Sequence, residues 1–165
     1  MASDIVITIR GDKETIANLN EMTNSLSDMT LPLSEASSSY LNVISSNFIS
    51  NGQVFGEPWP PLSKATIAEK KRLMAEGKAI AVEKPLVRTG LLSKSFDYRI
   101  TKNHARIYNE VDYANVHQEG ATVQYHGRSC KVPRRVLMKV DAEIILMVAK
   151  IFETWVRGVV AEATK

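Results

Sequence analysis

The chain has 165 residues, 44% of them hydrophobic, and a formal net charge of +3 from 21 lysines and arginines against 18 aspartates and glutamates. That is enough for one folded unit burying roughly 70% of its unfolded-state surface, so a single domain over residues 1–165 is expected. So mild and scattered a charge gives no argument for nucleic acid by itself. The lone cysteine, Cys130, excludes an intramolecular disulfide and a cysteine-rich zinc site, which fits folding in a reducing cytoplasm.

Residues 1–11, MASDIVITIRG, carry no basic region ahead of their short apolar run, unlike a secretory signal. Elsewhere charges such as Lys139, Asp141 and Glu143 interrupt the apolar stretches before the ~20 residues that a bilayer span requires. A soluble protein without membrane contact is expected.

In chain order, Ile5, Ile7 and Ile9 alternate with Val6, Thr8 and Arg10 as in a strand, and Gly11-Asp12 then breaks the pattern and can cap a helix facing Ile16, Leu19 and Leu26 inward. A second helix is expected from Thr30 or Ser34, either able to cap, with Pro32 tolerated in its first turn. Its apolar face is Leu33, Ala36, Tyr40, Leu41, Ile44 and Phe48; Ser38, Ser39, Asn42, Ser45 and Ser46 form an uncharged polar face, and Asn51-Gly52 ends it. Pro58, Pro60 and Pro61 stiffen a loop around Trp59, after which Ser63 can cap a third, exposed helix over residues 64–76. Ile67, Leu73 and Met74 are its only clear apolar anchors, Gly77 stops it, and residues 78–84 read as an extended arm.

Phe96, Tyr98 and Ile100 alternate with Asp97 and Arg99, and residues 105–109 alternate again, predicting a hairpin. Asp112 can cap a short helix ended by Gly120, and residues 123–125 and 130–132 read as strands around a turn at His126 to Ser129. The last helix starts near Asp141, with a stripe of Ile144, Ile145, Val148, Ile151, Phe152, Trp155, Val156 and Val159. Leu146 and Met147 widen that stripe beyond one packing surface, leaving room for a second contact. The expected fold is α+β: a small, mostly antiparallel sheet of four or five strands packed with helices, closed by a long C-terminal helix.

No constellation supports catalysis. His104, His117, His126 and Cys130, with Asp112 and Glu119, are metal-ligating types, but their spacing matches no compact ligand motif, and His117 and Glu119 would point to different sides of a helix. Surface or hydrogen-bonded histidines are the preferred reading. No serine or cysteine sits in an activating motif, and the eight glycines are spread singly, with no phosphate-binding pattern. Arg128, Lys131, Arg134, Arg135 and Lys139 form a basic cluster without an acid, interleaved with Val132, Pro133, Val136 and Leu137. It suits a protein interface, a solvated edge or DNA phosphates.

Four motifs follow one another between residues 55 and 137. They are Phe55-Gly56-Glu57-Pro58-Trp59-Pro60-Pro61-Leu62-Ser63 with Thr66; Pro85-Leu86-Val87-Arg88-Thr89-Gly90-Leu91-Leu92 with Ser95; Tyr113-Ala114-Asn115-Val116-His117-Gln118-Glu119-Gly120; and Val132-Pro133-Arg134-Arg135-Val136-Leu137. In this order they resemble the virion morphogenesis, or tail-completion, proteins of tailed phages. The chain departs from the family pattern at Val136, where an aromatic is more usual, and at Arg134, where a small residue is.

The resemblance implies a structural subunit and not an enzyme, needing no cofactor, that forms a homo-oligomeric ring, six-fold, in the tail or neck of the virion after synthesis in the host cytoplasm. It implies tail-tube or tail-terminator proteins and head-tail connector proteins as partners, with a lumen where DNA could be contacted. The family-motif and assembly candidates are Phe55, Trp59, Leu62, Thr66, Thr89, Gly90, Leu92, Tyr113, Ala114, His117, Gln118, Gly120, Pro133, Arg135 and Leu137. Physically, Trp59 among prolines is a rigid anchor, Thr89-Gly90 suits a cap or tight turn, and Tyr113 and Val116 can bury apolar area while His117 and Gln118 bond backbone. The alternatives are a DNA-binding accessory of packaging or assembly acting through the basic cluster, and a small hydrolase or metal nuclease using His117.

Overall fold

A computed structural model describes residues 12–125 and 127–164. The expected strand at Ile5 to Ile9 and the turn residue His126 lie outside them. Two helices come first, α1 (Asp12–Leu26) and α2 (Thr30–Ile49). Then follow α3 (Lys64–Ala75), the single turn α4 (Leu91–Lys94), the hairpin β1 (Phe96–Ile100) and β2 (Ala105–Asn109), α5 (Ala114–Glu119), the hairpin β3 (Ala121–Tyr125) and β4 (Arg128–Val132), and α6 (Ala142–Ala163).

The α+β class and long C-terminal helix are as expected, but the single sheet of four or five strands is not. The described strands form two separate antiparallel pairs, with Tyr98 opposite Ile107 in one and Val123 opposite Cys130 in the other. The reason is burial. Phe96 and Ile107 pack against the core, whereas no described side chain of the β3–β4 pair belongs to the core or packs against it, so this hairpin stands apart from the first.

The core is built on α2. Tyr40, Ile44 and Phe48 meet Phe55, Trp59, Leu92, Val136, Leu137 and Ile144, and Phe48 presents its ring edge-to-face to Trp59 at 5.1 Å and to Phe96 at 5.9 Å. Neither Thr30 nor Ser34 caps α2. Instead Asp28 Oδ1 accepts from the Thr30 amide at 3.0 Å and from the Thr30 hydroxyl. Ser63 does cap α3, accepting from the Thr66 amide at 3.1 Å, and Asp141 caps α6 through the Ile144 amide at 3.2 Å. Asp112 does not cap α5, whose N-cap position is Tyr113.

Three burial expectations are corrected. Ile16 and Leu19 of α1 are 57% and 54% exposed, because α1 packs chiefly along α6. In α3, Met74 is exposed while Lys70 is buried, so the ammonium stem and not the thioether faces inward. In α6 only Ile144 of the long stripe is buried. Val148, Ile151, Phe152, Trp155 and Val159 are half-buried, and Ile145, Leu146, Val156 and Val160 lie open to solvent.

Candidate functional site

The first and third motifs meet on a segment of the fourth, residues 133–138, which runs between the Trp59 loop and α5, and the second joins them through Leu92 in the core. Trp59 Nε1 and Asn47 Nδ2 both donate to the Val136 carbonyl, at 2.9 and 3.0 Å. Asn47 is fully buried, and its Oδ1 accepts from the Phe55 amide at 3.4 Å, so one side chain ties α2 to the start of the first motif and to the last. On the opposite flank, Gln118 Oε1 accepts from the Leu137 and Met138 amides at 2.8 and 3.2 Å, and its Nε2 donates to the Met138 carbonyl at 3.0 Å. The Gln118 amide group thereby acts as a strand partner for the segment.

Arg135 is buried and donates from Nη2 to the Pro60 carbonyl at 2.9 Å, while its own amide donates to the His117 carbonyl at 2.7 Å. Gly120, at φ +74°, lets α5 turn directly beneath this segment: a Cβ there would lie 2.9 Å from the Arg134 nitrogen. Leu92, Phe55 and Leu137 are in the core, and Ala114 packs against it. Thr89 Oγ1 accepts from the Leu91 amide at 3.3 Å, and Gly90 enters α4 at φ +80°. Tyr113 departs from expectation: it is 44% exposed and touches His117 edge-on, with ring centroids 5.9 Å apart.

Between α3, residues 86–92, α5 and residues 131–135 lies a cleft of about 570 Å³. Leu62, Thr66, Thr89, Leu92, Tyr113, His117, Pro133 and Arg135, drawn from all four motifs, line it. Leu86 also lines it, held at φ +60°, a conformation that costs a leucine about 1 kcal/mol or more. Lys70 reaches in from α3 and donates to the Lys84 and Val87 carbonyls at 2.7 and 3.1 Å. Burial and then the like charge of Arg88 lower its pKa.

These two bonds pin the segment read from sequence as an arm, where Ala79 is buried and the Ile80 amide donates to the Arg88 carbonyl at 2.7 Å. Lys70→Met keeps the aliphatic stem and removes the ammonium, losing charge-assisted bonds of about 2 kcal/mol. Trypsin is expected to cut this variant after Lys78 several-fold faster than the parent chain, whereas an unchanged rate would contradict the tether.

His117 Nδ1 and Arg135 Nε are buried without a hydrogen-bond partner. Burial, and then the Arg135 guanidinium, hold the His117 pKa below the ordinary imidazole value of 6.5. The unfolded chain therefore takes up this proton first as pH falls. The associated stability is fully present above about pH 6.5 and is lost as pH drops through the lower folded value. His117→Gln cannot titrate and is expected to flatten that part of the stability–pH curve, read from urea midpoints; an unchanged slope would contradict the assignment.

The basic cluster does not form one surface. Glu57 pairs with Arg134 and lies 3.7 Å from the Lys139 ammonium, and Arg135 is buried, which leaves Arg128 and Lys131 on β4 without an ion pair among the described residues. The metal-ligating types are not gathered: among the described residues no group of three histidine, cysteine, aspartate or glutamate side chains could hold an ion. His104 instead bonds Thr101 at 2.8 Å, and Cys130 is exposed. Among the described residues no helix is long and apolar enough to cross a membrane.

The family model for phage virion morphogenesis matches residues 12–157, which include every element from α1 to β4 and most of α6. The chain belongs to the phage virion morphogenesis family. No curated protein and no solved structure matches it. The match extends the resemblance well beyond residues 55–137, taking in α1, α2 and the part of α6 that packs on them. Family membership gives the chain a structural or assembly role in a phage virion, and the four motifs are the part of the fold where distant segments are locked together.

Two buried groups central to this site escaped the reading of the sequence, Asn47 and Lys70. Position was the available signal. Asn47 follows Ile44 by three residues, and Lys70 stands three after Ile67 and three before Leu73, so each shares an apolar face.

Proposed function

We propose that the chain is a tail-completion or neck subunit that assembles into a ring, six-fold, at the head-proximal end of a phage tail, terminates the tail or joins it to the head, and leaves a lumen for DNA. It works by binding alone, without turnover. The observation that carries this reading is the outer face of α6, where Ile145, Leu146, Val156 and Val160 stand open to solvent beside the half-buried stripe that packs on α1 and α2. An apolar strip of this length on a helix is the kind of surface that identical subunits cover in a closed assembly.

The locked motifs supply what such an interface needs, a rigid frame with little left to order on docking. Tail-tube or terminator proteins and head-tail connectors are the expected further partners. Contact with lumenal DNA would fall to Arg128, since Arg134 and Lys139 share Glu57 and Lys131 lines the cleft described above. A stop codon early in the gene tests the reading by electron microscopy of lysates. Free heads together with unjoined or irregularly ended tails are expected, and normal infectious particles would overturn it.

A further inference from the structure

The cleft beneath α3 has an apolar body and a cationic lining. Leu62, Leu73, Leu86, Leu92, Val132 and Pro133 supply the apolar wall. Lys70, Arg88, Lys131 and Arg135 line the same space against one carboxylate, Glu69. Two of these cations are committed: Lys70 spends two of its three donors on backbone carbonyls, and Arg135 holds the Pro60 carbonyl. Arg88 and Lys131 are exposed and have no side-chain partner among the described residues.

Arg135 is more than nine-tenths buried at the cleft, yet its Nε has no acceptor, and neither is the Nδ1 of His117 bonded. Both atoms lie behind the lining, out of reach of an occupant, which leaves Arg88 and Lys131 as the exposed cations able to meet one.

We infer that this cleft receives an acidic, apolar peptide segment from another protein of the virion, its apolar side chain seated among the leucines and its carboxylates held by Arg88 and Lys131. A volume of about 570 Å³ is within the usual ligand-pocket range of about 300–1,000 Å³. Carboxylates meeting arginine and lysine at the rim of an apolar groove give both register and sign selectivity. Duplex DNA fits less well: its phosphates carry no apolar side chain, so the leucine wall would stay unfilled. The identity of the occupant as a virion protein rests on the assembly reading above, while the preference of the cleft for acidic, apolar peptide does not.

The test uses the full chain against overlapping fifteen-residue peptides tiled across the structural proteins encoded by the same phage, this chain included. A 20-base-pair duplex serves as competitor. The expected result is binding to a segment of another structural protein that carries both acids and large apolar residues. Affinity should fall about tenfold or more in Arg88→Glu and in Lys131→Glu, both exposed positions whose folding is checked by thermal melting. The inference is overturned if no peptide binds, if the bound peptides lack acids or come from this chain, if both variants bind like the parent, or if the duplex binds more tightly than any peptide. Such a failure would leave ring formation through α6 standing, since the array contains no assembled subunit.

Discussion

Replacing Trp59 by alanine is expected to cost about 4 kcal/mol of folding stability, within the range for deleting a buried aromatic. The side chain is 6% exposed, meets Phe48 edge-to-face and donates to the Val136 carbonyl. Three losses therefore coincide: apolar burial, a ring contact, and a donor to the segment that joins the first, third and fourth motifs. Trp59→Phe separates them. It keeps a ring and loses the indole donor, but the Val136 carbonyl still accepts from Asn47, so about 1–2 kcal/mol is expected. Urea unfolding of the two variants decides, and a loss below about 1 kcal/mol for alanine would contradict the anchor role.

Gly52→Ala is expected to cost about 3 kcal/mol for an independent reason. Gly52 stands at φ +91°, outside the range L-residues favour, and a Cβ would lie 2.5 Å from Trp59 Cδ1 and closer still to the Glu57 carbonyl oxygen. Backbone strain and overpacking each contribute about 1–2 kcal/mol. Because one of the clashing groups is the indole, the double variant with Trp59→Ala should lose less than the sum of the single losses. Strict additivity, measured by the same unfolding experiment, would show that the clash with the carbonyl oxygen alone sets the cost.

The parts of this fold that were legible in the sequence are those governed by local rules. The cap at Ser63, the end of α2 at Asn51-Gly52, the first hairpin and the start of α6 near Asp141 each follow from a few neighbouring residues. Pairing between hairpins, by contrast, depends on which faces find a partner, and nothing within residues 121–132 indicates that this hairpin stays outside a larger sheet. The α6 stripe shows the same limit. Periodicity identifies a helix with an apolar face, but not that α1 and α2 cover only part of it.

The candidate site was legible as motifs and not as geometry. Trp59, Gln118 and Arg135 were singled out by type and order, whereas their meeting on residues 133–138 arises from contacts up to 77 positions apart in sequence. Polar groups suffered most, because composition treats asparagine and lysine as surface residues by default. Asn47 and Lys70 are buried because backbone groups at Val136, Phe55, Lys84 and Val87 are there to receive them. The basic cluster failed in the opposite sense: Glu57, distant in sequence, neutralises part of what looked like a continuous positive strip.

The most direct test of assembly through α6 is the molar mass by light scattering of the purified chain, alone and mixed with tail-tube protein, beside a variant carrying Leu146→Asp and Val156→Asp. Both positions are exposed, so the variant should fold. A discrete oligomer, or a defined complex with tail-tube protein, is expected for the parent chain and a monomer for the variant. A parent chain that stays monomeric and inert toward every tail and neck protein, or a variant that assembles as the parent does, would contradict it.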